Sequence, residues 1–205
     1  MQCLVLAALM TGAMGLYSLI LRLPTGEVRS TRTFLDAFVP FWPAWTWVYL
    51  LPYVVAPALA AALPAPAFRA LCRRALVLLG LSFAVFLLAP TEVQRPDLSS
   101  LDDDLTAALY RAMIAFDDPP RNALPSLHAG LAVVFGAALW SLSPRSALAG
   151  AAFAALVCLS TLFSGQHHVL DVVAGVALAL AVVAGVRAAP APLSVRAGRP
   201  RQEPG

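Results

Sequence analysis

Long apolar runs separated by short polar connections dominate this chain and constrain what it can fold into. Of its 205 residues, 60% are hydrophobic and only 12% are charged, whereas soluble domains carry roughly 25% charged residues. The runs are comparable in length with the roughly 20 residues that an α-helix needs to cross the hydrocarbon core of a bilayer. A helix also pairs its own backbone N–H and C=O groups, as the bilayer interior requires. The sequence therefore predicts an all-α integral membrane protein.

Six apolar segments are expected to form a bundle of spanning helices. The first has neither a basic start nor an Ala-x-Ala cleavage site, so we interpret it as a retained helix and not as a signal peptide. Prolines break the second, so a kinked helix is expected there. The third follows a predicted basic turn at Arg69, Arg73 and Arg74. The predicted spans are Met1–Leu21, Ala44–Leu63, Ala75–Ala89, Ser126–Leu142, Ser146–Phe163 and His167–Val186.

A polar stretch, Pro90–Leu124, separates the third and fourth predicted spans. Within it, apolar residues recur at helical spacing over 98–116, opposite three consecutive aspartates and an arginine. Ser100 followed by Asp103 resembles a capping box at the start of such a helix. The pattern predicts an amphipathic helix that lies on the membrane surface.

The arginines indicate how the bundle is oriented. Residues 1–187 are predicted to form one membrane domain, and residues 188–205 a disordered tail rich in proline and arginine. Eight arginines fall on the side of the two termini and six on the other side, which is a weak positive-inside signal. It favours cytoplasmic termini and places the Pro90–Leu124 loop on the outer face. The Arg-, Ala- and Pro-rich composition favours a bacterial protein, and hence the inner membrane. Because the arginines lie in short loops and the tail, they indicate topology and not a nucleic-acid partner.

Residues that carry chemistry collect at this predicted outer face. Two of the three histidines, His167 and His168, stand at the start of the last span, followed by Asp171. On a helix, residues three or four positions apart share one face, so the carboxylate can meet an imidazole and orient it. An ionisable cluster at a membrane boundary is costly to keep and indicates a functional site. From these residues alone, either histidine could be the partner of Asp171.

A second polar group opens the fourth predicted span. Pro125 and Ser126 start a helix whose first backbone N–H groups are unpaired, and such an N-terminus attracts anions. Ser126 and Asn122 would add hydrogen-bond donors to an anion there, and Arg95 and Arg121 would add charge. Around a bound phosphate, one imidazole could attack phosphorus while another protonates the leaving group. The pattern favours phosphoryl transfer.

Two motifs in these regions resemble those of the type 2 phosphatidic acid phosphatase superfamily. The first is Pro125–Ser126–Leu127–His128, and the second is Ser160 followed by His167-x-x-x-Asp171-x-x-Ala174–Gly175. Their order and spacing make the likeness fairly specific over about 95–179. Six spans with both motifs on one face also fit this family.

The resemblance implies a role for each site residue. His167 would be the nucleophile that forms a phosphohistidine, Asp171 its partner, and His128 the general acid to the leaving group. Ser126 would bind the phosphate. His168 stands where relatives usually have a tyrosine, so we assign it no catalytic role and keep it as a candidate substrate contact. The expected chemistry needs no metal and no other cofactor.

Two positions depart from the family pattern. Leu88 stands where relatives have a lysine, and Thr161 stands where they have an arginine. Either Arg95 and Arg121 carry more of the charge, or the bound group is less anionic. These departures are similar to the branch that contains fungal inositol phosphorylceramide synthases and bacterial relatives, which transfer a phospho-headgroup between lipids.

Three functions stay open from the sequence. The first is a membrane-embedded lipid phosphatase that hydrolyses a lipid phosphate or pyrophosphate through a phosphohistidine. The second is a phosphotransferase that moves an inositol-phosphate-type headgroup to an acceptor lipid. The third is a catalytically silent membrane scaffold or lipid transporter. The retained His128, His167 and Asp171 favour an enzyme, because a silent relative has no need of all three.

Overall fold

The computed structural model describes residues 1–23, 26–99 and 101–186, which form a bundle of α-helices. A short helix of 3-10 type, Phe34–Phe38, lies between the first two α-helices. Two strands of two residues each, β1 (Arg29–Ser30) and β2 (Thr91–Glu92), pair in parallel. The helices are α1 (Gln2–Arg22), α2 (Trp45–Leu50), α3 (Pro52–Ala61), α4 (Ala65–Leu88), α5 (Leu105–Phe116), α6 (Leu127–Trp140), α7 (Pro144–Phe163) and α8 (Val169–Gly185).

The predicted all-α membrane fold is confirmed by the length and composition of these helices. Within the described residues, α1, α4 and α7 are each long and apolar enough to cross a membrane. The other three predicted spans fall on shorter apolar helices, namely α2 with α3, α6 and α8. At about 1.5 Å per residue, a helix of 14 residues such as α6 is roughly 21 Å long, against a hydrocarbon core of roughly 30 Å. The candidate site thus adjoins both kinds of helix, since α6 and α8 are short whereas α7, which ends beside His167, is long.

Helix α6 lies at the centre of the bundle and packs against α4, α7 and α8. Its side chains Val134, Phe135 and Ala138 are buried together with Leu78 of α4 and Ala179 of α8. Burying apolar area in this way excludes lipid and water from the middle of the bundle. The N-terminal end of α6, which carries the first motif, is therefore supported by the buried core of the bundle.

Two glycines let α6 and α7 approach each other closely. A Cβ atom added to Gly136 would lie 2.7 Å from the carbonyl oxygen of Gly150, and the reverse distance is also 2.7 Å. Small residues of this kind allow the backbones of membrane helices to touch, which maximises van der Waals contact. The two helices consequently pack backbone against backbone at this point.

The second predicted span, where a kink was expected, is divided at one residue. Helix α2 ends at Leu50 and α3 begins at Pro52, so the apolar run is divided into two helices. Proline has no backbone N–H and cannot continue the hydrogen-bond ladder of α2. The prolines predicted an irregularity in this run but not its position, since Pro52 coincides with the boundary whereas Pro57 lies inside α3.

The basic turn predicted before the third span is wrong. Helix α4 begins at Ala65, ten residues before the predicted Ala75, and Arg69, Arg73 and Arg74 lie within it. Arginine is a strong helix former, so a cluster of charge does not by itself indicate a turn. Arg74 also has a helical partner, since its guanidinium donates to the carbonyl oxygens of Val186 (3.2 Å) and Val183 (3.3 Å) at the end of α8.

The amphipathic helix between the third and fourth predicted spans exists, but it is shorter than predicted. It is α5, which begins at Leu105, and Asp104 caps it by accepting from the N–H of Ala107 at 2.7 Å. Of the capping box expected at Ser100 and Asp103, Ser100 lies outside the described residues, and Asp103 pairs with Arg111 at 2.9 Å. Of the three consecutive aspartates, Asp102 and Asp103 thus belong to the loop and Asp104 is the N-cap of α5. The tail predicted over 188–205 lies outside the described residues.

The glycine contact between α6 and α7 yields a stability prediction. Gly136→Ala should lower the free energy of unfolding by about 1–3 kcal/mol, because the added methyl group forces two packed backbones apart. Gly80→Ala is the matched control, since a Cβ there meets nothing within 4 Å. Thermal unfolding of both variants in detergent micelles checks the prediction, and equal melting temperatures would contradict it.

Candidate active site

The turn between α7 and α8 presents His167. Gly165 adopts a φ of +64°, a left-handed conformation that favours glycine, and it reverses the chain after α7. The backbone N–H groups of Gln166 and His167 then donate to the carbonyl oxygen of Thr161, at 3.0 and 3.1 Å. A Cβ on Gly165 would collide with the ring of Pro96. The turn is therefore fixed against the segment that carries Arg95.

The predicted start of the last helix is wrong by two residues. His167 precedes α8, and His168 is its N-cap in an extended conformation, with φ −81° and ψ 162°. The Asp171 carboxylate stands in the first turn and accepts from the backbone N–H of His168 through Oδ2, at 2.8 Å. His167 and Asp171 thus do not share a helical face. They still meet, because the chain bends back at the N-cap.

The Asp171 carboxylate lies beside the His167 ring. Oδ2 of Asp171 is 3.5 Å from Nδ1 of His167, and the side chain of Asp171 is fully buried. Within the described residues, neither Nδ1 of His167 nor Oδ1 of Asp171 has a hydrogen-bond partner. A proton held on Nδ1 toward the carboxylate leaves the lone pair of Nε2 free for attack. The geometry favours His167 over His168 as the partner of Asp171.

His168 is held by a different contact. Its Nδ1 lies 2.9 Å from Oγ1 of Thr31, and the residue is 7% exposed. Burial lowers the pKa of His168 more than the nearby carboxylates of Asp171 and Asp36 raise it, so the neutral ring is favoured. Thr31 was missed by the sequence interpretation, because a threonine in a polar connection carries no local signal.

His128 lies in the first turn of α6, among aromatic residues of α2 and α3. Its Nε2 donates to the backbone carbonyl oxygen of Tyr49 at 3.0 Å, since a carbonyl oxygen can only accept. The ring stacks on Tyr49 with centroids 4.0 Å apart and meets the edge of Tyr53 at 5.1 Å. This arrangement fixes the tautomer and leaves Nδ1 as the nitrogen that is free to exchange a proton.

Ser126 joins the two motifs physically. It is the N-cap of α6, where Oγ accepts from the N–H of Ala129 at 3.4 Å, and its own N–H donates to the carbonyl oxygen of Asp171 at 3.0 Å. A Cβ on Gly175 would lie 2.4 Å from the carbonyl oxygen of Ser126. Gly175 therefore permits the close contact between the first motif and α8. Ser126 is almost fully buried in this contact.

Arg95 is fixed next to the active-site turn. Its guanidinium donates to the side-chain oxygen of Gln166 at 2.5 Å and forms an ion pair with the carboxylate of Asp117 at 2.8 Å. Asp117 in turn accepts from the hydroxyl of Tyr17 at 2.6 Å. These charge-assisted bonds give Arg95 a defined position, and they also place a carboxylate against its charge.

The remaining two candidates lie on the loop before α6. Asn122 is buried, has a φ of 58°, and its Nδ2 has no hydrogen-bond partner within the described residues. Arg121 is partly exposed, and its backbone pairs with that of Glu92. An unpaired buried amide is unusual, and this one lies outside the residues that line the cavity.

A cavity of about 260 Å³ shows which of these residues the fold brings together. His167, His168 and Arg95 line it, whereas Ser126, His128, Arg121 and Asn122 do not. The wall also contains Arg32 and Asp36 from the loop after α1. Both were missed by the sequence interpretation, since only their charge in a short connection set them apart.

Two histidines and two arginines line one cavity of this membrane protein, and the buried Asp171 carboxylate lies beside one of these histidines. Residues 29–185 match the model of the family described as the PAP2 superfamily. Since the match spans more than half of the chain, the protein belongs to this superfamily, whose members are generally phosphatases or phosphotransferases. No curated protein and no solved structure gives a significant match to the chain. The predicted superfamily is thus confirmed, while its narrower branch stays a prediction.

The buried His168 predicts a pH dependence of stability. Because its pKa is lowered in the folded protein, its contribution is complete above the unfolded value of about 6.5 and is lost as the pH falls below it. His168→Gln removes this titration and should flatten the fall in melting temperature between about pH 7.5 and about pH 5.5. Thermal unfolding of both proteins across this range measures it, and parallel curves would contradict the assignment.

Proposed function

We propose that the protein is a membrane-embedded lipid phosphatase that hydrolyses a lipid phosphate or pyrophosphate through a phosphohistidine at His167. The observation that carries this proposal is the position of His167, at a cavity of about 260 Å³ and 3.5 Å from the buried Asp171 carboxylate. A nucleophile, an orienting carboxylate and a nearby arginine are the parts that phosphoryl transfer requires.

The first chemical step belongs to His167. Asp171 holds the Nδ1 proton and stabilises the positive charge that develops on the ring, while Nε2 attacks phosphorus. The bond between phosphorus and the leaving oxygen breaks as His128 delivers a proton to that oxygen. In this scheme the proton moves through Nδ1 of His128, because Nε2 is bonded to Tyr49.

The second step regenerates the enzyme. Water attacks the phosphohistidine, and His128 takes a proton from it, so that phosphate leaves and Nε2 of His167 is free again. Arg95 is proposed to stabilise the phosphate oxygens, with Ser126, Asn122 and Arg121 contributing from the loop and N-terminus of α6. The unpaired Nδ2 of Asn122 supports this part of the scheme.

A lipid is the proposed substrate because apolar surface adjoins the cavity. Phe34 and Phe38 of the 3-10 helix are 78% and 79% exposed, and Asp36 between them lines the cavity wall. Exposed aromatic side chains beside a polar site are typical of a membrane interface. We propose that the headgroup enters here, from the outer leaflet of a bacterial inner membrane.

A trapping experiment tests the proposed function. Purified protein should release phosphate from one or more of phosphatidic acid, a prenyl pyrophosphate and a sphingoid phosphate, and His167→Ala should reduce the rate by at least about a thousandfold. Wild-type protein quenched during turnover should contain an acid-labile phosphoenzyme from ³²P-labelled substrate, and His128→Ala should form it more slowly, because the leaving group then lacks its proton donor.

The controls separate catalysis from folding. His168→Gln should still form the phosphoenzyme, and all variants should keep wild-type melting temperatures at neutral pH. A phosphoenzyme that persists in His167→Ala would show that another residue is the nucleophile. No turnover of any phosphorylated lipid would favour the catalytically silent scaffold or transporter.

The second candidate, a headgroup transferase, is favoured by the pairing of Arg95 with Asp117. A carboxylate against Arg95 reduces the net charge available to a phosphate, and a phosphodiester carries less negative charge than a monoester. Incubation with labelled phosphatidylinositol and an acceptor lipid such as ceramide or diacylglycerol tests it. Headgroup transfer that depends on His167 and exceeds phosphate release would establish a transferase, and release alone would exclude it.

A further inference from the structure

The sequence resemblance leads to an expectation of phosphate-binding cations at positions 88 and 161, where this protein has leucine and threonine. Leu88 is 85% exposed at the end of α4, and Thr161 is buried, with its hydroxyl donating to the carbonyl oxygen of Cys158 at 2.8 Å. The charge of Arg95 is paired with Asp117. A phosphate in the cavity therefore lacks an unpaired cation, unless another part of the chain provides one.

Arg32 provides positive charge at the same cavity. It lines the cavity with His167, and its side-chain hydrogen bond runs from Nη1 to the neutral side-chain oxygen of Gln94, at 2.6 Å. Within the described residues Arg32 makes no ion pair. A guanidinium has five N–H donors in a planar fork, so most of those of Arg32 are free for a ligand.

Asp36, the acidic residue near Arg32 at the cavity, forms no ion pair with it within the described residues. Asp36 also lines the cavity, but its Oδ2 accepts from the backbone N–H of Thr33 at 2.6 Å and from the hydroxyl of Thr33 at 2.9 Å. Its Oδ1 accepts from the N–H of Val169 at 2.8 Å. Burial acts to raise the pKa of Asp36, but these hydrogen bonds outweigh it and lower the pKa. Its oxygens are thus engaged with neutral donors.

Residues 31–36, the first-loop segment, are attached to the active-site turn at both ends. Thr31 meets the ring of His168 at 2.9 Å, and Asp36 accepts from Val169 at the start of α8. Arg32 therefore comes from a segment that is fixed directly to the residues following His167. This attachment fixes the backbone that carries Arg32 relative to His167, and the bond to Gln94 directs its exposed side chain.

We propose that Arg32 binds the phosphate of the substrate and supplies the charge that Leu88 and Thr161 cannot. The inference rests on the proposed function, since it takes His167 as the nucleophile at the same cavity. Arg32 would contact the non-bridging phosphate oxygens, where negative charge is concentrated during transfer. No further bond is made or broken.

Anion binding by the full-length protein in detergent tests this assignment without depending on turnover. The probes are inorganic phosphate and orthovanadate, titrated by calorimetry. Arg32→Gln should weaken binding of either probe by at least about tenfold, and Arg32→Lys should recover part of the loss. Arg29→Gln is the matched control, because Arg29 is exposed in the same loop and does not line the cavity.

Three results would overturn the assignment. They are unchanged binding in Arg32→Gln, equal losses in Arg32→Gln and Arg29→Gln, and no binding of either probe to the wild-type protein. Phosphate release from lipids, measured in parallel, keeps the two proposals apart. If His167→Ala abolishes turnover while Arg32→Gln keeps the wild-type kcat/KM, the phosphatase stands and only the role of Arg32 fails.

Discussion

The buried carboxylate of Asp171 holds the site together. One of its oxygens caps α8 through the N–H of His168 and lies beside the ring of His167. The backbone carbonyl of the same residue accepts from Ser126 and so fixes the start of α6. A fully buried carboxylate is costly unless it is well compensated. Loss of the Asp171 carboxylate would therefore disturb the start of α8 and the position of the His167 ring, whereas the contact with Ser126 is made by the backbone and does not depend on this side chain.

The sequence predicted most of the fold because apolar length and proline position are strong signals. The six predicted spans fall in order on apolar helices, and the prolines indicated that the second would be irregular. The sequence interpretation failed where one signal has two causes: Arg69, Arg73 and Arg74 were assigned to a turn, although arginine also favours helices. It also began the last helix at His167, since spacing alone does not show that His168 is an N-cap.

The sequence predicted some of the residues that line the cavity and missed others. His167, His168 and Arg95 do line one cavity, as their grouping suggested, whereas His128 lies among Tyr49 and Tyr53. The position of Arg32 at the cavity and the ion pair of Arg95 with Asp117 both depend on contacts between residues far apart in the sequence. Nothing local in a short loop distinguishes such an arginine from a solvated one. Only tertiary structure reveals which charge faces the cavity.

The guanidinium of Arg74 has a consequence for how the site responds to a substrate. It holds the last carbonyls of α8, while the opposite end of that helix is bound to Ser126. Hydrogen bonds at both ends restrain α8 against tilting. Under the proposed function, headgroups of different size would be accommodated by residues 31–36, which contact the start of α8. Variation in that loop would then change selectivity while His167 and Asp171 stay in place.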